Sequence, residues 1–267
     1  MNKTNVVNNF LISSMKRAKE RVSPYQFSTI SIETTTYCNR SCHYCPNSTD
    51  LARPAQKMDE QLFREIIDSL ARHNYKGIIN PHFYGEPLTD DRICTFVTYI
   101  RNKLPQATIK LFTNGDLLTV DNYLELKKAG VNVFRISNHS PIISAKLVQT
   151  LSQIMQHHTH LYSVELFDYY HLVKVKDQRI YNRGGLLDIP TTAKAGCEFV
   201  QEVNVDYAGN VVLCCHDYLS AVTLGNCDQS DVVDLWNSKE YRKVRREILA
   251  GNWIFDLCRK CQAGSDS

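Results

Sequence analysis

Between Thr29 and about residue 167, β-rich stretches and helix-periodic stretches take turns along the chain, and this alternation constrains the fold more than any other feature. TISIETT (29–35), GIINPHF (77–83), ATIKLFT (107–113), VNVFRIS (131–137) and HLYSVELF (160–167) read as strands. Between the first two, Leu62, Ile66, Ile67 and Leu70 share one helical face behind a capping Asp59. Further helices are expected over 91–103, 119–129 and 142–157. Such repetition predicts an α/β fold, a parallel sheet covered by helices and open or curled toward a barrel. Ligand-binding groups in sheets of this kind gather at the C-terminal ends of the strands. The pattern changes near residue 180. NRGGLLDIP (182–190) is a turn-rich joint, VNVDYAGNVVLCC (203–215) reads as a hairpin turning at Ala208-Gly209-Asn210, and a polar helix follows over 231–249. We therefore expect a polar arm at 1–27, a main domain at 28–185 and a smaller module at 186–267.

Composition removes several classes. With 267 residues, 43% of them hydrophobic and 22% charged, the chain is an ordinary globular one and not disordered, collagen-like or a coiled coil. A net charge of +3 is too mild to argue for nucleic acid, and the KEYRKVRRE run is read as a solvated helix face. No stretch approaches the roughly 20 apolar residues needed to span a bilayer, and MNKTNVVNNFLISSMKR does not read as a secretory signal. The expectation is a cytoplasmic protein with neither a membrane nor nucleic acid as partner. Ten cysteines in such a setting suggest metal binding or catalysis before disulfides.

Their spacing matters more than their number. Cys38, Cys42 and Cys45 put three thiols in eight residues at the end of a strand. Zinc wants four ligands, and the only nearby fourth is His43, so an iron–sulfur cluster with one open iron suits this loop better. The later cysteines are Cys197, Cys214, Cys215, Cys227, Cys258 and Cys261. On a strand, Cys215 would point away from Cys214. Cys94 reads as a core thiol of a helix, and Cys227 as a turn thiol, an alternative ligand or a hydrogen donor. His82 and Tyr84, at the second strand end, and His139 and His216 are further polar candidates, each with a simpler reading as core or surface.

CxxxCxxC with Tyr44 before its last cysteine resembles the radical S-adenosylmethionine (SAM) superfamily. The resemblance extends to Gly85-Glu86-Pro87 after the second strand, Thr113-Asn114-Gly115 after the third, and Ser137 and Asn138 at the end of the fourth. It implies a partial (β/α)6 barrel over roughly 28–180, a 4Fe-4S cluster on Cys38, Cys42 and Cys45, and SAM bound at its open iron. It further implies that the Gly-Glu-Pro segment takes the amino group of SAM and that Ser137 and Asn138 take its ribose or methionyl part. One electron then cleaves SAM to methionine and a 5′-deoxyadenosyl radical that abstracts a substrate hydrogen, so an external donor such as flavodoxin or ferredoxin is implied. After Ser137 the chain reads Asn-His-Ser, where the commoner pattern has an acidic residue followed by Gly.

Cys197, Cys214, Cys258 and Cys261, with Leu224-Gly225-Asn226 and Asp234-Leu235-Trp236-Asn237-Ser238 between them, resemble the SPASM/Twitch modules of many radical SAM enzymes. The resemblance implies an auxiliary 4Fe-4S cluster with four protein ligands, serving electron transfer; a structural zinc site is the alternative. No cysteine follows Cys261, so the single-cluster Twitch form is expected. The layout is most similar to Twitch-type dehydrogenases, which implies oxidation of an alcohol to a ketone. It also implies a role near substrate for Arg183, 14 residues before Cys197. An arginine is a poor base, so hydrogen bonding to a substrate oxygen is its conservative role and a structural pairing the alternative. Three other readings stay open: maturation of a ribosomal peptide, epimerisation with Cys215 or Cys227 returning hydrogen, and a non-catalytic metal protein. The substrate is accordingly a small molecule or a peptide.

Overall fold

The computed structural model describes residues 27–174, 181–189 and 194–262, so all but Phe27 of the arm expected at 1–27 lies outside the described residues. The alternation produces a β/α layout: β1 (Thr29–Ile32), α1 (Glu60–Arg72), β2 (Ile78–Asn80), α2 (Ile93–Lys103), β3 (Thr108–Thr113), α3 (Val120–Ala129), β4 (Val133–Asn138), α4 (Ala145–His157), β5 (Val164–Asp168) and the short α5 (Tyr169–Lys174). The second region adds β6 (Val203–Val205), β7 (Asn210–Val212), β8 (Thr223–Asn226), α6 (Val232–Asn237), α7 (Lys239–Leu249) and α8 (Asp256–Gln262). Asp59 caps α1, accepting from the Gln61 and Leu62 amides at 2.8 and 3.1 Å, a contact worth about 1 kcal/mol. Phe63, Ile66, Ile67 and Leu70 of that helix are buried, each contributing roughly 1.5–3 kcal/mol by leaving water.

One eight-stranded sheet carries everything, in the order β5-β4-β3-β2-β1-β6-β7-β8. Strands β1 to β5 are parallel to their neighbours, β6 pairs parallel with β1, and β7 and β8 are antiparallel. The partial barrel thus has five strands from the first region, and its sixth parallel strand comes from the second. The sheet passes across the expected boundary at 185/186 without a break.

Side-chain alternation separates two faces. Ile30, Ile32, Ile79, Ile109, Leu111, Phe134, Ile136, Val203 and Val205 are buried in the main core. The alternate positions Ser31, Asn80, Phe112, Arg135, Ser137, Phe167 and Asn204 line a cavity on the other face. A barrel interior of this polarity is the wall of a site and not a packed core. Three details differ from the sequence reading. The helix expected over 231–249 is two helices, because Ser238 ends α6 and caps α7 through the Tyr241 amide. The fifth strand begins at Val164, after a 3-10 turn at Thr159–Leu161. Cys214 and Cys215 lie on a turn past β7 and not on the strand. Among the described residues no helix is long and apolar enough to cross a membrane.

Candidate active site

The loop from Cys38 to Cys45 leaves β1 at its C-terminal end and is held by its own backbone, with the Cys45 amide donating to the Cys42 carbonyl at 2.8 Å. Ser48 adds a bond from its hydroxyl to the Cys42 carbonyl at 2.6 Å. Arg40 anchors the loop from outside, donating to both carboxylate oxygens of Asp116 and to Ser140. All three thiols line the cavity, while His43 is exposed and outside it. Burial pushes the Cys38 thiol up to about 11 and raises Cys42 and Cys45 as well. A metal must therefore displace protons from these thiols on binding.

Glu86 sits beside this loop on a segment that permits only glycine at its start. A Cβ on Gly85 would lie 2.0 Å from the Thr35 carbonyl oxygen, and the Glu86 amide donates to the Tyr37 carbonyl at 2.8 Å. Its buried carboxylate accepts from Thr113 Oγ1 at 2.7 Å, the Asn114 amide at 2.8 Å and the Leu88 amide at 3.2 Å. Three donors leave acceptor capacity for one more. Burial nevertheless dominates and raises the group to about 7. Asn114 completes the link to the loop, its side-chain amide donating to Asn39 Oδ1 at 2.9 Å. Gly85, Glu86, Thr113, Asn114, Ser137 and Tyr44 all line the cavity. Pro87 does not, and opens the short turn that carries Glu86. Asn138 is engaged elsewhere: its amide donates to the Ser140 carbonyl at 2.8 Å and to Asp168 at 3.3 Å.

The cavity measures about 460 Å³. Tyr44 and His139 share a hydrogen bond of 2.8 Å, and both pack on Tyr169, with ring centroids 5.1 and 5.5 Å away. His82 stacks on Phe112. Burial lowers both His82 and His139 to about 4, so both rings are neutral at pH 7. On the far side, Arg183 donates to Tyr169 Oη at 3.3 Å and lies 3.0 Å from His216 Nδ1. Burial works against the charge on Arg183, while Tyr84, Tyr169 and the neighbouring thiols of Cys215 and Cys45 hold it above the usual guanidinium range.

Arg183 owes its position to an uncommon backbone. It is left-handed (φ 54°), as are Gly184 and Gly185 after it, and for a non-glycine residue that conformation carries strain. The turn is clamped to α8, with Asn182 donating to the Lys260 carbonyl at 3.0 Å. A Cβ on Gly184 would meet Leu257 at 2.2 Å. The joint between the two regions is therefore tied to the helix that carries the CxxC pair.

Cys197, Cys214, Cys258 and Cys261 come together around a separate pocket of about 20 Å³ walled by Val200, Leu213, Ile248, Trp253 and Leu257. Burial raises all four thiols, Cys258 to about 12. A zinc tetrathiolate with ~2.3 Å bonds would draw its sulfurs to about 3.8 Å apart. Among the described residues, the group whose ligand atoms gather within 4.8 Å is His73, Asp231 and Asp234, on the outer surface. The all-thiol donor chemistry of both cysteine sets fits an iron–sulfur cluster. Cys215 turns to the cavity while Cys214 faces the pocket, so the two thiols diverge as expected, through a turn and not a strand. Cys227 is buried in the main core and Cys94 packs at its edge.

Sequence reasoning missed Tyr169, Arg40 and the Ser31, Asn80 and Asn204 row. The row joins three neighbouring strands in register, and the period-2 polarity of TISIETT and VNVDY was its only trace. Arg53 was also missed: it forms a two-bond ion pair with buried Glu33, and its amide donates to Tyr218 Oη of the second region at 2.9 Å.

The radical SAM superfamily model matches residues 32–183, and the SPASM iron–sulfur cluster-binding domain matches residues 197–262. The S-adenosyl-L-methionine-dependent 2-deoxy-scyllo-inosamine dehydrogenase of Niallia circulans is 30% identical over 240 residues, 88% of this chain and 92% of that protein. The PqqA peptide cyclase of Gluconobacter oxydans is 28% identical over 106 residues, 39% of this chain and 28% of that protein. Among solved structures, BtrN in complex with AdoMet and 2-DOIA is 29% identical with a TM-score of 0.79, covering 89% of this chain and 94% of its own. The anSMEcpe structure with bound AdoMet shares the fold at 13% identity and a TM-score of 0.57, over 88% of each chain. With a superfamily match that ends on Arg183 and a cluster-domain match that begins on Cys197, the chain belongs to the radical SAM superfamily and carries a SPASM iron–sulfur region after its core.

Proposed function

We propose that the protein is a radical SAM dehydrogenase that oxidises an alcohol carbon of a small hydroxylated substrate to a ketone. The observation that carries this reading is a cavity of aromatic walls and convergent polar side chains, lined on one side by three thiols and on another by His216, which also walls the four-thiol pocket. In this reading Cys38, Cys42 and Cys45 hold the SAM-binding 4Fe-4S cluster, and Cys197, Cys214, Cys258 and Cys261 hold the auxiliary one. When bound, these groups and SAM supply a hydrogen-abstracting 5′-deoxyadenosyl radical and an acceptor for one electron.

The chain's own residues do the rest. Glu86, positioned by Gly85, Pro87, Thr113 and Asn114, offers its remaining acceptor capacity to the ammonium of SAM. Tyr44 and Ser137 wall the site around it, and Asn138 shapes the turn behind. Arg183 donates to the substrate oxygen and favours its oxyanion character. The carbon loses one hydrogen atom, the oxygen one proton, and one electron leaves, which balances alcohol to ketone. Ser31, Asn80 and Asn204 offer hydrogen bonds to other hydroxyl groups. A substrate of this kind matches the 2-deoxy-scyllo-inosamine named for the Niallia circulans relative. A one-electron carrier such as flavodoxin or ferredoxin supplies the initiating electron, and we place the protein in the cytoplasm, where such carriers and reduced thiols coexist.

A second reading has one observation in its favour: Cys215 lines the cavity, where a thiol could return hydrogen to the substrate. Anaerobic reconstitution decides between them. The protein should hold about eight irons, four per cluster, cleave SAM after reduction, and release a ketone from 2-deoxy-scyllo-inosamine or a related polyol. A product of unchanged oxidation state carrying solvent deuterium, lost in Cys215→Ala, would establish the epimerase instead. Iron-loaded protein that leaves SAM intact would refute both.

A further inference from the structure

His216 is the one described side chain that lines both the substrate cavity and the four-thiol pocket. It lies on the turn past β7, two residues after Cys214, and is 3% exposed. Tyr181 and Phe199 hold its ring from two sides, each with centroids at 4.7 Å. Its Nδ1 lies 3.0 Å from Arg183 Nη1. A guanidinium has donors only, so Nδ1 accepts, and the neutral ring carries its proton on Nε2. Among the described residues that Nε2–H has no hydrogen-bond partner. Buried donors are rarely left unmet, because the desolvation cost is then uncompensated.

The two nitrogens lie on diverging edges of the ring. Arg183 lines the substrate cavity and not the four-thiol pocket, so the edge bearing Nε2–H is turned from Arg183 toward the pocket side. Acceptors there are few. Gln262, whose Oε1 accepts from the Lys194 amide at 2.8 Å, is not bonded to Nε2. Sulfur remains.

We propose that His216 is a positioning residue that donates its Nε2–H to a sulfur of the auxiliary iron–sulfur cluster while its Nδ1 holds Arg183 against the substrate. This rests on the two-cluster reading above. A hydrogen bond to cluster sulfur stabilises the extra negative charge of the reduced state, which raises the potential and makes the cluster a readier acceptor. One imidazole then connects the group that favours proton loss from the substrate with the group that takes its electron.

Two substitutions separate the edges. His216→Asn keeps an acceptor near Nδ1 and removes the distal donor; His216→Gln keeps a donor near Nε2. Each reconstituted full-length protein is assayed for iron, then titrated with a redox mediator while the EPR signal insensitive to SAM, that of the auxiliary cluster, is followed. The expected result is full iron in both, a midpoint potential shifted to more negative values in His216→Asn, and one close to wild type in His216→Gln. Equal potentials in all three proteins at full iron would overturn the proposal. A wild-type protein holding only about four irons would instead overturn the two-cluster reading beneath it, so the two failures are distinct.

Discussion

The two thiol sites are built in opposite ways. The first gathers three thiols from eight consecutive residues on a loop that holds its own shape, and each of its cysteines is half-buried at the edge of the large cavity. The second gathers four thiols from three segments, and Cys214 and Cys258 sit inside a small apolar core of their own with Val200, Leu213 and Ile248. An open, three-ligand site suits an exchangeable partner such as SAM, whereas a closed, four-ligand site suits electron transfer and structural support. The difference also assigns the sites different weights in folding. The pocket site should weigh more, because α8, which carries Cys258 and Cys261, also holds the Arg183 turn through the Asn182–Lys260 bond.

That contrast can be broken by cysteine substitution, with the largest effects expected here. Cys258→Ala with Cys261→Ala should lose about half the iron and lower Tm by on the order of 5–10 °C, the equivalent of about 2–3 kcal/mol in a chain of this size. SAM cleavage should survive and ketone formation should not. Replacing Cys38, Cys42 and Cys45 by Ala should lose a similar share of iron and all SAM cleavage, yet move Tm by no more than about 2 °C. Equal thermal losses in calorimetry would erase the distinction.

A smaller effect sharpens it through pH. Burial raises Glu86 to about 7, so in the SAM-free protein its neutral form is favoured. The stability this contributes, of order 3 kcal/mol, is fully present below the unfolded carboxyl pKa and is lost as pH rises through 7. The ammonium of SAM needs the carboxylate, so affinity for SAM should rise roughly 10-fold from pH 6 to pH 7.5 and flatten beyond. Calorimetric titration should show proton release on binding at pH 6. In Glu86→Gln both the pH dependence and the release should vanish. No described residue lining the four-thiol pocket is a carboxylate, and burial holds His216 well below the usual imidazole range, so its potential should show no step near pH 7.

Much of this architecture is legible in the sequence because its signals are local. Strand and helix periods, the Asp59 cap and the Cys38–Cys45 loop each lie within a dozen residues, and Gly85 marks a contact that only a missing side chain permits. What escaped reading is non-local. Nothing in VNVDY says that β6 will pair with β1 and supply the barrel's sixth parallel strand. Tyr169, Arg183 and His216 become neighbours only when that strand is in place, since their segments are otherwise independent. Ser238 is both the end of α6 and the cap of α7, a double use that helical periodicity across 231–249 conceals. The divergence of Cys214 and Cys215 survived although its cause, a turn, was not the one the strand pattern suggested.

The central claim is that the substrate's second electron leaves through the four-thiol site. A single turnover tests it: doubly loaded protein with both clusters oxidised is mixed with substrate, one equivalent of SAM and a limiting amount of a one-electron donor, and samples are freeze-quenched for EPR and product assay. One ketone should form per 5′-deoxyadenosine, with the auxiliary cluster gaining one electron in step with the ketone. Ketone that accumulates while the auxiliary cluster stays oxidised would contradict it.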